Sequence, residues 1–339
     1  MKKVAVIILN WNGEELLRQY LPSVLENTPQ ELAEIVVADN GSEDNSVEFV
    51  KSEYPMVKVM EMGVNHGYAE GYNRAIDKIR NEYVVLLNSD VAVTADWLSP
   101  LLNLAESNQN ISAVQPKILS LRNKAKFEHA GACGGFIDKY GYTFCRGRIF
   151  DSTEIDKGQY DSVIDVFWAS GACLFVKRED YINAGGLDSR FFAHMEEIDL
   201  CWRIHLMGKR IICNPKSVVY HLGGATLDME SPRKTYLNFR NNILMLYKNV
   251  PLKYRSSLIR KRMFLDGIAA LNYFIHGKIE LVKAIATAHS DARNMINGYY
   301  KNNVTDEKID ILKEMPYTNN SIVYQYFIKK KKLFSEYKK

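Results

Sequence analysis

The sequence predicts an α/β fold: a mainly parallel sheet with its helices over residues 1–230, followed by a helical, basic region over residues 231–339. Three observations predict it. Through the first 120 residues, short apolar runs alternate with segments whose apolar residues recur at three- and four-residue spacings. Such alternation implies right-handed crossovers and parallel strands. Four successive strand exits carry Asn or Asp, at the sheet edge where open α/β proteins bind ligands. From Arg233 onward the pattern is helical with basic faces, punctuated by Pro232 and Pro251.

The strand candidates are Val4–Leu9, Ile35–Ala38, Val57–Met62, Tyr83–Leu87 and Ile111–Val114. Between them, Glu14–Glu26, Val47–Tyr54, Ala69–Arg80 and Trp97–Ser107 have helical spacing. The run at Tyr83 is uninterrupted by polar residues, as suits a strand buried on both faces, and stops on Asn88-Ser89-Asp90. Residues 121–165 change character: six glycines, from Gly131 to Gly158, interleave with Phe136, Tyr140, Tyr142, Phe144 and Tyr160. This reads as a loop-rich excursion, either a substrate lid or an insertion with no role. Regular structure resumes with Ala172–Val176, a helix near Met195–Met207, and apolar runs at Arg210–Cys213 and Ser217–Tyr220.

Bulk composition narrows the function classes. Apolar content of 47%, charged content of 25% and a net charge of +4 suit a soluble globular protein and give no case for a nucleic-acid partner. Base is concentrated late in the chain, at Arg255, Arg260, Lys261 and Arg262, then Lys329–Lys332 and Lys338–Lys339. Clusters of this kind either hold a protein peripherally against an anionic membrane or form a solvated tail. The five cysteines form no CxxC pair, which argues against a zinc ribbon and a disulfide framework and fits a reducing compartment. The apolar core Val4–Leu9 is too short for a signal peptide, and no stretch approaches the roughly 20 apolar residues of a membrane-spanning helix. The expected location is cytoplasmic, at most at the inner face of the membrane.

Three places could carry chemistry. The strand exits at Asn10 and Asn12, Asp39 and Asn40, Asn65, and Asn88 through Asp90 would line one edge, with Asp90 either a helix cap or an oxygen ligand for a divalent cation. No GxGxxG or GxxxxGK[ST] follows the first strand, so dinucleotide and P-loop readings lose support. In Met195-Glu-Glu-Ile-Asp-Leu-Cys-Trp-Arg203, Asp199 and Arg203 read as an i,i+4 ion pair. Glu196 and Glu197 begin a helix after Phe191-Phe192, where the helix N-terminus favours the ionised carboxylate and apolar surroundings raise its basicity. A carboxylate so balanced could be a general base toward a hydroxyl. His221, at a strand end before Gly223 and Gly224, is either structural or beside a phosphate or metal; imidazole with a carboxylate suits Mg²⁺ or Mn²⁺.

Taken in order, NWNG from Asn10, VVADNGSED, NHGYAEGYNRA from Asn65, LLNSDV, WASGACLFVKRE from Trp168, GGLDSRFFAHMEEIDLCWR from Gly185 and HLGGAT from His221 resemble the inverting nucleotide-sugar glycosyltransferases of family two, which have the GT-A fold. The bacterial rhamnosyltransferase-like branch is the most similar, and the resemblance spans residues 3–226. It implies a nucleotide-sugar donor, a UDP- or dTDP-sugar such as dTDP-rhamnose, and a glycan or lipid-linked acceptor. Asp39 would bond the N3–H of uracil or thymine, with Asn10, Asn65, Gly67 and Asn73 around the nucleotide. Asp90 and His221 would hold the Mg²⁺ or Mn²⁺ on the diphosphate, and Glu197 would be the base, with Glu196 beside it. Trp168, Ser170 and Gly171 would wall the acceptor site, Trp168 being equally readable as core. The sequence departs from the family twice: the usual Glu-Asp pair is Glu-Glu, and Asn88 replaces the first acid of the metal motif.

Two other classes compete. A non-catalytic sugar-nucleotide-binding protein of the same fold would lack the base or the metal acid, yet Glu197 and Asp90 are present. A nucleotidyltransferase would place a basic, Gly-rich loop after the first strand, where NWNGEELL has no Lys or Arg.

Overall fold

A computed structural model describes residues 2–223, 231–296 and 315–337. Gly224 and the end of HLGGAT, residue 230 and Lys338–Lys339 lie outside these. The first part alternates as expected: β1 (Val4–Asn10), α1 (Glu14–Asn27), β2 (Ala33–Asp39), α2 (Ser46–Glu53), β3 (Lys58–Glu61), α3 (Gly67–Lys78) and β4 (Tyr83–Asn88). β4 runs parallel to β1, β1 to β2 and β2 to β3. Both faces of β1 and β4 are covered, which is why these strands are apolar without alternation.

After β5 (Val91–Val93), α4 (Ser99–Ser107) and β6 (Ile111–Ser120), the sheet departs from simple parallel order. β12 (Cys173–Lys177) inserts antiparallel between β4 and β6. The two expected strands at Arg210–Cys213 and Ser217–Tyr220 are one, β13 (Arg210–His221), parallel to β6 with an irregular register between Asn214 and Val218. These changes of direction bring loops from distant parts of the chain to the carboxyl edge of β1 and β4.

The glycine–aromatic excursion is a folded layer. β7 (Gly135–Asp138), β8 (Thr143–Cys145), β9 (Arg148–Ile149) and β10 (Ser152–Thr153) form a second sheet, completed by β14 (Tyr317–Thr318) from near the chain end. A short β11 (Ile164–Asp165) returns to the main sheet beside β13. Phe334 packs against Phe136, Phe144 and Tyr160, so the chain's last described residues close the aromatic layer, whose core is continuous with that on one face of the main sheet.

After α5 (Arg178–Asn183) and α6 (Glu196–Leu206), the described residues include the long helices α7 (Pro232–Asn249), α8 (Leu252–Ile275) and α9 (Ile279–Ile296). α7 docks on α6 through the buried Asp199, whose carboxylate meets Arg203 at 2.7 Å, Lys248 at 2.7 Å and Asn249 at 2.8 Å. The expected Asp199–Arg203 pair is therefore present, as part of an interhelical network rather than a surface pair. Two members of the expected basic cluster are internal: Arg262 is buried on Asp266 at 2.8 Å, and Arg255 is buried with its Nε on the Val250 carbonyl. All five cysteines are free and buried. No described helix is long and apolar enough to cross a membrane.

Candidate active site

The in-register pairing of β1 and β2 sets Asn10 opposite Asp39. Both are buried, and Asn10 Nδ2 donates to Asp39 Oδ1 at 3.2 Å. Asp39 also accepts from the Gly41 and Ser42 amides at 3.2 and 3.0 Å and from the Ser42 hydroxyl at 2.5 Å. These four bonds occupy the acceptor capacity of its carboxylate, so a base N–H would have to displace one of them. Asn10 Oδ1 is buried without a partner.

Asn40 fastens the β2 exit to α3: its Nδ2 donates to Asn65 Oδ1 and the Gly67 carbonyl, both at 3.1 Å, and its Oδ1 accepts from the His66 amide. Asn65 in turn accepts from Gly67 N at 2.8 Å. Gly67 has φ +79°, and a Cβ there would lie 2.9 Å from the Phe192 ring. Only glycine suits both the left-handed backbone and that contact. Beside this edge stands Trp11, 52% exposed, a flat apolar face that the polar strand-exit pattern did not single out. Asn73 does not join the cluster. Its Oδ1 accepts from Tyr181 Oη and Leu187 N, its Nδ2 donates to Leu187 O, and it clasps α3 to the loop before α6.

Because β12 runs against β4, its beginning falls at the end of β4, where Asn88 N donates to Ala172 O at 3.0 Å. The Ser170-Gly171 turn is thereby carried to the site edge. Trp168 does not reach the surface: it is buried beneath Gly135, with Nε1 donating to Phe136 O at 3.0 Å. It is a core residue, because Gly135 leaves the space its indole fills. Ser170 is buried as well, its amide donating to Gln115 Oε1 at 2.9 Å. Of the expected acceptor wall, only Gly171 faces a candidate catalytic group.

That group is Glu197. The nearby backbone N–H groups of its own residue, Ile198 and Gly171 act to lower its pKa, yet burial prevails and raises it to about 7. Glu196 is raised well above the usual carboxylate range by burial and by the charge of Glu197. Each has an Oε2 atom without a partner. The residues that deliver them are strained: Phe192, His194 and Met195 have φ of 65°, 68° and 71°, a conformation non-glycine residues adopt only when held. Asn241 of α7 is the holder. Its Nδ2 reaches the carbonyls of Phe191, Ala193 and His194 at 3.0, 2.8 and 2.7 Å, while Arg240 reaches those of Arg190 and Phe191. The segment also docks on α3, where Tyr68 N donates to Phe192 O at 3.1 Å. The base candidate and the Asn65–Gly67 turn are thus one connected structure.

Asp90 meets His221 through the ladder. β13 pairs with β5 so that His221 lies opposite Val91, and Leu222 N donates to Asp90 O. His221 Nε2 is 3.1 Å from Asp90 Oδ1, and its Nδ1 is 3.3 Å from Glu128 Oε2. Burial would lower the imidazole, but the carboxylates of Asp90 and Glu128 on either side outweigh it and raise it to about 10, although Nδ1 makes no well-aligned hydrogen bond to Glu128. For Glu128, burial is likewise outweighed, by His221, and its carboxyl lies below the ordinary value. Gly223, at φ +63°, has Glu128 Oε1 2.4 Å from where a Cβ would stand. Sequence reasoning missed Glu128: it sits in the glycine–aromatic excursion, with no periodic pattern around it.

Asp90 and His221 suit Mg²⁺ or Mn²⁺ in donor type, a hard carboxylate and an imidazole for a cation that takes its remaining ligands from phosphates. Asp90 and His221 are paired with each other, so His221 would give up its proton to ligate a cation, and among the described residues no three His, Cys, Asp or Glu side chains form a ready-made cation site.

Comparison with known proteins gives the family and the fold. Residues 5–178, just over half of the chain, match the model of Glycosyl transferase family 2. An uncharacterized protein of Sinorhizobium fredii is 27% identical over 257 residues, which cover 71% of this chain and 26% of that protein, so the chain spans about a quarter of its length. The N-acetylglucosaminyl-diphospho-decaprenol L-rhamnosyltransferase of Mycobacterium tuberculosis is 26% identical over 231 residues, covering 64% of this chain and 75% of that protein. The crystal structure of GalNAc-T7 with UDP, GalNAc and Mn²⁺ superimposes with a TM-score of 0.56 at 18% identity, over 73% of this chain and 48% of that one.

Proposed function

The chain belongs to glycosyl transferase family 2 and has the GT-A fold, and from that premise we propose that it is an inverting transferase in glycan or polysaccharide synthesis. The donor is a nucleoside-diphosphate sugar with a pyrimidine base, a UDP- or dTDP-sugar, dTDP-rhamnose included. The acceptor is a hydroxyl of a glycan or lipid-linked saccharide. The rhamnosyltransferase relative supports the sugar class and the lipid-linked acceptor.

In the proposed reaction Asn10 and Asp39 receive the base edge, with Asp39 exchanging one of its internal bonds for the ring N–H, and the Trp11 face offers a surface on which the base stacks. Asn65 and Gly67 shape the floor where the donor backbone approaches. Glu197 removes the acceptor hydroxyl proton, the oxygen forms its bond to the anomeric carbon, and the bond to the nucleoside diphosphate breaks with inversion. Its raised pKa makes it a competent base near neutrality, and its unpartnered Oε2 is where the proton arrives. Glu196, held neutral, adds no charge against that step. Mg²⁺ or Mn²⁺ held by Asp90 and His221 would supply Lewis-acid neutralisation of the leaving diphosphate.

The single observation that carries the proposal is the Glu197 carboxylate, raised to about 7 and with one oxygen unpartnered beside Gly171. The test is a panel of UDP-, dTDP- and GDP-sugars assayed for binding and slow hydrolysis with Mn²⁺. A pyrimidine preference that Asp39→Asn weakens about tenfold is the expected result. Tight GDP-sugar binding, or transfer that survives Glu197→Gln while Glu196→Gln abolishes it, would overturn the assignment.

A further inference from the structure

Helix α8 carries a face that no other described residue covers. Phe264, Ile268, Leu271 and Ile275 follow one another at i, i+4, i+7 and i+11, one line along a helix. They are 70%, 50%, 57% and 70% exposed. Phe274 lies beside them at 59%. The same line continues toward the helix start through Lys253, Ser257, Arg260 and Lys261, all exposed. The opposite face is internal, where Arg255, Arg262 and Asp266 are buried. Asp266 is the one acid in the whole helix, and it is spent on Arg262 at 2.8 Å, Tyr142 at 3.1 Å and His289 at 3.1 Å. The outward face therefore has cations at one end, large apolar groups at the other, and no negative charge.

We propose that this face of α8 docks on an anionic lipid surface, with the helix lying in the plane of the interface. The distribution is that of an interfacial helix: apolar side chains enter the acyl boundary while Lys and Arg meet lipid phosphates. α8 does not span the bilayer, because its other side is packed into the protein and its sequence is not apolar enough to cross. A second copy of the chain fits less well. An isologous pairing of this face brings Lys253, Arg260 and Lys261 toward their own counterparts or onto apolar residues, with no acid to receive them. The inference rests on exposure and charge and is independent of the catalytic reading.

The test is co-sedimentation of the full chain with vesicles of phosphatidylcholine alone and of phosphatidylcholine containing phosphatidylglycerol, at low and high salt. Binding at least about tenfold tighter to the anionic vesicles, weakening with salt, is expected. The double variant Arg260→Ser/Lys261→Ser should lose about thirtyfold, since each cation near such a surface is worth about fivefold. Ile268→Ser/Leu271→Ser should lose about tenfold or more. Both variants replace exposed residues, so circular dichroism, melting temperature and donor hydrolysis should match the parent. Equal binding to both vesicle types, or variants that bind like the parent, would overturn the proposal. So would a self-association of the parent, seen by sedimentation equilibrium, that the apolar variant abolishes.

Discussion

Asp90 and Glu128 flank His221 and share its charge, whereas Glu196 and Glu197 stand side by side with no cation between them. Asp90, Glu128 and Glu196 are buried and Glu197 is half-buried, the first pair held beyond the ends of β4 and β6 and the second at the start of α6. In the first, burial is answered locally: the imidazolium, raised to about 10, stands between two carboxylates and offsets one of their two charges. In the second, burial is left unanswered, and the carboxyls rise instead. The first arrangement sets its acids around a cation, whereas in the second the protonation of the acids is governed by burial, as the proposed base role of Glu197 requires. This difference also explains why α7 grips the Phe191–Met195 segment so closely: an uncompensated acid pair stays in place only if its backbone is fastened from elsewhere.

The largest expected effect is on transfer. Glu197→Gln should lower kcat about a thousandfold, within the general-base range, with donor KM changed only a few-fold. Glu196→Gln should cost less than about tenfold. Steady-state kinetics on both variants would break the comparison if their ranks were reversed.

Stability should respond in opposite directions at the two acid pairs. His221→Ala removes the cation and leaves Asp90 and Glu128 buried and facing, a loss of about 3 kcal/mol at neutral pH. Glu197→Gln removes an unfavourable buried charge and should stabilise by about 1–3 kcal/mol at pH 8. The raised carboxyl binds its proton in the folded state at pH values where the unfolded chain has already released it. Its penalty therefore grows as pH rises from about 4.5 to 7, and the gain from Glu197→Gln should vanish near pH 4. Chemical denaturation at the two pH values measures both.

Asn241→Ala should loosen the left-handed segment without touching substrate, lowering kcat about ten- to a hundredfold through misplacement of Glu197. As a positioning effect it should also shift the acidic limb of the pH–rate profile, which a merely destabilised enzyme would not do. The pH dependence of the His221 cluster has the same sign as that of Glu197 but lies at higher pH. The raised imidazole contributes stability fully present below about 6.5 and lost as pH rises toward about 10, and His221→Gln should flatten that loss in thermal melts.

How far these two sites were legible differs for physical reasons. The strands β1 to β4 announce themselves as apolar runs, and the Asn and Asp residues that end them declare a common edge. Strand direction is not written in an apolar run, so the antiparallel entry of β12, which carries Gly171 to the site, could not be read. Nor could the burial of Trp168, which depends on Gly135 leaving room for it. Glu128 has no periodic context and is recruited by the turn after β6. The left-handed backbone at Phe192, His194 and Met195 is invisible in side chains that ordinarily avoid it, since its cause lies about 50 residues later, in Asn241. The Glu-Glu pair was visible; what holds it there was not.

The proposed base role rests on the protonation of Glu197. Side-chain carboxyl ¹³C titration of the full chain, with Glu197→Gln to assign the signal, measures it directly. The expected result is one glutamate resonance titrating near 7 and absent from the variant. A Glu197 resonance titrating in the ordinary range near 4.3 would contradict the assignment of this residue as a base tuned by burial.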